Sequence, residues 1–160
     1  MFGSTYYGGT YFGSTFFGQG VSVVVAGRYN LADLYEALRA KILTGTAATI
    51  YGSRVYWMLA PARTQTPYIT ISLASLSALR TFDQEGYDLI AQVSLWHSLA
   101  TGPDGAWSGA QAVRENVGKT TLSVTGQNNL MCYFRAERGP DRDNDLWRSD
   151  IDLTIASMET

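Results

Sequence analysis

Five groups of residues carry side chains that could do chemistry. Residues 117–121, VGKTT, have the Gly-Lys-Thr ending of a phosphate-cradling loop. That signature places a further glycine five residues ahead of the Gly-Lys pair and sits between a strand and a helix. Here Val113 holds the glycine position, a helical pattern precedes and β-branched residues follow. The stretch therefore reads as a helix stopped at Gly118. Residues 141–145, DRDND, set Asp141, Asp143 and Asp145 at the alternate spacing that opens a calcium loop. Such a loop continues with glycine and closes on a glutamate, where this chain has Leu146 and Asp152. Interleaved Arg138, Arg142 and Arg148 supply countercharge, so the segment reads as an ion-paired hairpin tip. His97 and Cys132 are each alone of their type. Nothing in their spacing makes a nucleophile–base pair, and His97 reads as a surface residue at a strand end. Asp83, Glu85 and Asp88 cluster around Gly86, but carboxylates used as acid and base need surroundings that split their pKa values. This cluster reads as a solvated loop. No catalytic set, metal or cofactor is expected.

The composition points the same way. A chain of 160 residues is most simply one domain with a proper core. A net charge of −2 and a pI near 5.3 give no general drive toward nucleic acid or anionic membrane. One cysteine makes no disulfide framework. No run reaches the roughly 18 apolar residues of a membrane helix, and the start lacks the basic and apolar regions of a signal peptide. A soluble protein, made inside the cell and without a membrane partner, is expected.

The first charge is Arg28, and ahead of it lies an aromatic repeat. FGSTY (2–6), YGGTY (7–11), FGSTF (12–16) and a truncated FGQG (17–20) recur every five residues. Five fits neither the helical nor the strand period. Extended, Phe2, Tyr6, Phe12 and Phe16 share one face and Tyr7, Tyr11 and Phe17 the other, so the ribbon needs a surface on each side. Single-stranded nucleic acid would also need Lys or Arg, and carbohydrate platforms are held rigid by a scaffold. Strand or groove addition to another protein fits best. The burial these aromatics could gain and the cost of fixing about 20 backbone residues are of similar size. The arm is thus expected to order only on assembly, as a clasp on neighbouring subunits spanning up to about 65 Å.

Behind this arm (1–27) a domain over 28–160 is expected. Residues 21–27 suit a strand or the arm's root. Asn30 and Asp33 cap a helix marked by Leu31, Leu34, Tyr35, Leu38 and Ile42 and closed by Gly45. Strands follow at 53–59, 67–75 and 87–96. Pro103, Asp104 and Gly105 read as a turn before a second helix opening at Ser108 with a Ser-x-x-Gln capping box. Segments 130–137 and 146–157 pair around the charged tip 138–145. Trp147, Ile151, Leu153 and Ile155 alternate with Arg148, Asp150, Asp152 and Thr154, which predicts a sheet with one covered and one polar face. The expected fold is α+β: a mostly antiparallel sheet with two helices on one face.

From residue 31 to 157 the chain resembles the tail-terminator (tail-completion) proteins of long-tailed bacteriophages. The resemblance lies in the element order, in SRVYWMLAPARTQTPYITIS (53–72) and in the closing strand WRSDIDLTI (147–155). The arm, the LATGPDGAWSG loop and the insertion TTLSVTGQNN depart from the pattern. The resemblance implies a structural virion protein, assembled in the host cytoplasm and without enzymatic activity. It implies a hexameric ring at the end of the tail tube, meeting the major tail tube protein and a neck or stopper protein. Double-stranded DNA would pass through without sequence-specific binding. A neighbouring stopper or adaptor ring is the alternative. From another class, a carbohydrate-binding module would use the arm or Trp57, Trp96, Trp107 and Trp147. The candidate ring contacts are the hairpin tips 79–88 and 138–145, with Asp83, Glu85, Arg138, Asp141, Arg142 and Asp143.

Overall fold

The computed structural model describes residues 24–25, 29–80, 85–124 and 130–158. The aromatic arm and Asp83 lie outside them, as does the side chain of Glu85.

Strands β1 (Val24–Val25) and β2 (Tyr29–Asn30) form an antiparallel pair that leads into helix α1 (Leu31–Ile42). The helical spacing holds, with Leu34, Leu38 and Ile42 buried. Gly45, at φ 53, takes the left-handed conformation that stops a helix. It also opens a helix not expected from the sequence, α2 (Gly45–Tyr51). GTAATIY is too short and too rich in small residues to show a period, and its buried members are Ala47 and Tyr51, one turn apart.

Strand β3 (Val55–Trp57) is followed by the long hairpin β4 (Tyr68–Arg80) and β5 (Glu85–Ser98). A 3-10 turn (Leu99–Thr101) leads into α3 (Gly102–Val117), β6 (Lys119–Leu122), β7 (Leu130–Asp143) and β8 (Leu146–Met158). The last six strands make one sheet in the order β3-β4-β5-β8-β7-β6.

The fold is α+β as expected, with two corrections. The sheet is mixed, because β3 runs parallel to β4, pairing Val55 with Ile69 and Trp57 with Ile71. Residues 58–67 carry the chain back to the end it left, as a parallel pair requires, and the Met58 amide donates to the Ile71 carbonyl at 2.8 Å. There are also three α-helices in the described residues, not two. The longest, α3, starts at Gly102 and not at Ser108. Pro103 and Asp104, read as turn residues, instead occupy the first helical turn, where proline lacks no needed donor and a carboxylate meets the helix dipole. Ser108 bonds back to the Asp104 carbonyl at 2.9 Å and Gln111 reaches Glu115 at 3.0 Å, so neither caps. The charged segment 138–143 is strand, and the tip shrinks to Asn144 and Asp145, with Asn144 at φ 54.

One face of the sheet meets the helices. Ile69, Ile71, Leu89, Ala91, Val93, Leu95, Leu130, Cys132, Ile151, Leu153 and Ile155 form a continuous core with Leu34, Leu38, Ile42, Tyr51, Val113 and Val117. Helix α3 comes close because the side it buries is small, with Ala106, Gly109, Ala110 and Ala112. Under Gly109 the Tyr51 hydroxyl and His97 Nε2 share a buried hydrogen bond of 2.7 Å. A Cβ at Gly109 would collide with the Tyr51 hydroxyl and stand 2.8 Å from His97 Nε2. We expect Gly109→Ala to destabilise the fold by about 1–3 kcal/mol, against the usual gain for Gly→Ala in a helix, read as a lower denaturant midpoint.

Candidate functional site

On the face away from the helices, the registers set polar and aromatic side chains in rows across four strands. Tyr68, Trp96, Arg148 and Asp141 form one row. Thr70, Ser94, Asp150 and Arg138 form the next, and Gln92 and Asp152 stand side by side in the third. On β4, β5 and β8 alternation puts them there, since their neighbours turn inward, while Arg138 and Asp141 on β7 are brought in by the register shift between them.

These groups are already paired with each other. Tyr68 stacks on Trp96 with ring centroids 6.0 Å apart, and the Arg148 guanidinium lies 5.2 Å from the Trp96 ring on an adjacent strand. Trp96 Nε1 donates to Thr70 Oγ1 at 3.1 Å. Ser94 Oγ and Arg148 Nε both donate to Asp150 Oδ1, at 2.6 and 3.0 Å. Arg148 also reaches Asp143 at 3.6 Å, while Arg138 donates to both oxygens of Asp152 at 3.3 Å. Partial burial, and secondarily the charge of Asp143, raises the Tyr68 pKa, so its phenol stays neutral. Exposed ion pairs of this kind add little stability, but they hold long side chains in fixed places, as recognition requires.

Beside these rows, residues 58–66 carry apolar surface into solvent, with Met58 65% and Leu59 83% exposed. With Tyr68, Thr70, Trp96 and Leu146 this loop lines a cleft of about 450 Å³. Met58 and Arg63 both take positive φ, at 58 and 64, a conformation unfavourable for such side chains and held where the surroundings demand it. The strand expected over 53–59 thus shortens to Val55–Trp57, which releases Met58 and Leu59 into the loop; the run MLAPA (58–62), apolar with a proline inside it, is the signal in the sequence.

Of the expected ring contacts, Arg138, Asp141 and Asp143 fall within or beside these rows. Arg142 turns to the Asn144 carbonyl at 3.2 Å. The four tryptophans do not converge. Trp57 packs edge-on against Tyr35 at 5.0 Å, Trp96 is engaged as above, and Trp107 is exposed on α3. Trp147 is half-buried, its Nε1 shielded from solvent.

The residues with chemical potential are structural here. Gly118 ends α3 and Lys119 opens β6, so VGKTT lies between a helix and a strand, the reverse of a phosphate loop. Among the described residues no three His, Cys, Asp or Glu come together to hold a metal ion. His97 is not a surface residue: it is 2% exposed, because β5 continues past Trp96 and the alternation turns it inward. Cys132 is buried and its thiol is pushed up to about 12, which leaves no thiolate near neutrality. Cys132 pairs with Ile155 and His97 with Trp147, so eight residues of β8, about 25 Å, separate them.

The described residues thus form a body with one sheet face under helices and the other presenting side chains already paired with one another. The tail completion protein gp17 family matches residues 33–156, and the chain belongs to that family of phage tail structural proteins, found in the virion. Its residues 1–32 lie outside the match. No curated protein matches the chain. A solved chain from the virion of a native gene transfer agent particle is 22% identical, with a TM-score of 0.63, and the likeness covers 86% of this chain and 100% of that one. Another solved chain is 17% identical, with a TM-score of 0.51, covering 81% and 93%. At such identities the likeness is one of fold. Among the described residues no helix is long and apolar enough to cross a membrane.

Burial holds the His97 pKa below its ordinary 6.5. Below that pH the unfolded chain takes up a proton that the folded chain refuses, so stability rises with pH through this window and is lost on acidification. We expect Tm to fall between about pH 7 and about pH 5, where histidine is the side chain that titrates. His97→Gln should flatten this dependence in calorimetry.

Proposed function

We propose that the chain forms a ring, most simply a hexamer, at the end of the phage tail tube, where it joins the tail to the neck around the DNA channel. The observation that carries this reading is the uncovered sheet face with its ordered Arg–Asp and aromatic rows, set beside the exposed Met58–Leu59 loop, in a body of the tail completion family. Exposed apolar surface rimmed by fixed charge suits a partner that is always present. A ring also uses different patches of one subunit against the next, closed by rotation. The virion setting of the similar gene transfer agent chain supports it.

In this reading the major tail tube protein and a neck or stopper protein flank the ring, and the chain does no chemistry. Double-stranded DNA passes through without being held. A net charge of −2 supports that, because a strongly basic wall would bind phosphates and release their counterions. The β7–β8 tip contributes to the subunit contact through Arg138, Asp141, Arg142 and Asp143.

Charge reversal at this tip tests the reading. Asp143→Lys breaks a half-exposed pair with Arg148 and an exposed bond from Asn144 Nδ2, and Arg142→Glu an exposed bond, so both variants should fold normally. Each should weaken assembly about 10- to 100-fold, since one repulsive contact costs about 1.4 kcal/mol or more. Mass photometry against concentration reads the change; unaltered assembly in both variants would remove the tip from the interface.

A further inference from the structure

The sheet has two half-open edges, and they differ in chemistry. On one side β6 covers β7 over Leu130–Tyr133, and the Phe134 amide bonds the Gly118 carbonyl at 2.8 Å. Beyond that point the edge of β7 carries Arg135, Glu137, Arg138, Pro140, Asp141, Arg142 and Asp143, with two register shifts. Charge, proline and bulges are the devices that keep an edge from accepting another strand. On the other side β3 covers β4 only at Ile69–Ile71. Among the described residues no strand pairs with 72–80 on that side. This edge reads SLASLSALR, with no proline and no charge before Arg80. One register shift, at Leu73–Ser75, interrupts it, and it otherwise has neither of the other two protections.

The core is also unfinished there. Leu76 pairs with Leu89 and so faces the helices, yet it is 38% exposed. It lines a small apolar gap with Leu31, Leu34, Leu89 and Ile155. Ala74, Ser75 and Ser77 beside it are exposed. A strand added at this edge would take up the free backbone groups and place apolar side chains over Leu76.

The chain carries a segment whose sequence suits this role, and the described residues that follow it lie nearby. Leu31, the first residue of α1, lines the same gap as Leu76, and the arm joins α1 through β1 and β2. The arm has no charge and no proline, and it alternates aromatics onto both faces when extended. The edge of nine residues is about 30 Å long, half the arm's reach.

We propose that the nearer half of the arm, around FGSTFFGQG (12–20), adds as a strand to the open β4 edge of its own chain. Phe17 closes the core over Leu76, while Phe12 and Phe16, on the opposite face with Ser14, remain for a partner. The more distant repeats run past the end of the edge. This strand addition orders the nearer half of the arm within a single chain, where the sequence alone leads us to expect ordering only on assembly, and it does not rest on the ring reading.

Amide hydrogen exchange on the full chain and on a chain lacking residues 2–20 tests it. We expect amides in 12–20 and 72–80 of the full chain to exchange at least about tenfold slower than open peptide. Without the arm, protection at 72–80 should fall while α3 stays protected. Equal exchange at 72–80 in both chains would overturn the proposal. Cysteine pairs Ser14→Cys with Ser75→Cys or Ser77→Cys then identify the strand's owner, since native Cys132 is buried. Oxidation should give a cross-link within one chain by denaturing electrophoresis; cross-linked dimers would assign the edge to a neighbour's arm and overturn the proposal.

Discussion

The structure depends on covering one face of a six-stranded sheet. Alternation along β4, β5 and β8 divides each strand into an apolar row and a polar one, and three helices cover most of the apolar side, leaving Leu76 part-exposed at the β4 edge. Helix α3 must lie close to the strands to close the core, and its buried side therefore consists of Ala106, Gly109, Ala110 and Ala112 with Val113 and Val117. Tyr51 and His97 fill the remaining space and satisfy each other, so the one polar pair in this region leaves Nε2 and the hydroxyl partnered. A protonated imidazole or an added methyl group is poorly accommodated there.

The sheet face that no described helix covers is the surface we propose for docking. Its arginines and aspartates are held by neighbours on the same and adjacent strands, and the Arg148 side chain links Trp96 on β5, Asp143 on β7 and Asp150 on its own strand. Such an arrangement adds little to folding and much to the definition of a contact, because the side chains lose little further freedom on docking. The exposed Met58–Leu59 loop at its margin supplies the apolar component.

The body of the fold was legible wherever periodicity was long. Leu34, Leu38 and Ile42 marked α1, and the alternation of Trp147, Ile151, Leu153 and Ile155 marked β8. Local signals failed where two readings share one composition. Pro103-Asp104-Gly105 suits a turn and a helix start equally, and only the sheet behind Ala106 and Gly109 decides between them. GTAATIY has too few residues for any period. The direction of β3 was not written in VYW at all, since it follows from where the loop 58–67 returns the chain. On the site, the charges of the β7–β8 tip were visible as a cluster, but their partners across the strands were not. His97 was misjudged because a strand end in the sequence proved to be two residues short of the strand end in the fold.

The central claim is that this sheet face and its flanking loop build a ring between tail and neck. Electron cryomicroscopy of intact virions, with the chain located by fitting its α+β body into density, tests it most directly. The account predicts a closed ring of copies where the tail tube meets the neck, with the Arg148–Asp150 face or the Met58–Leu59 loop in contact with another subunit. Density for the chain elsewhere on the particle, or a single copy with that face turned to solvent, would contradict it.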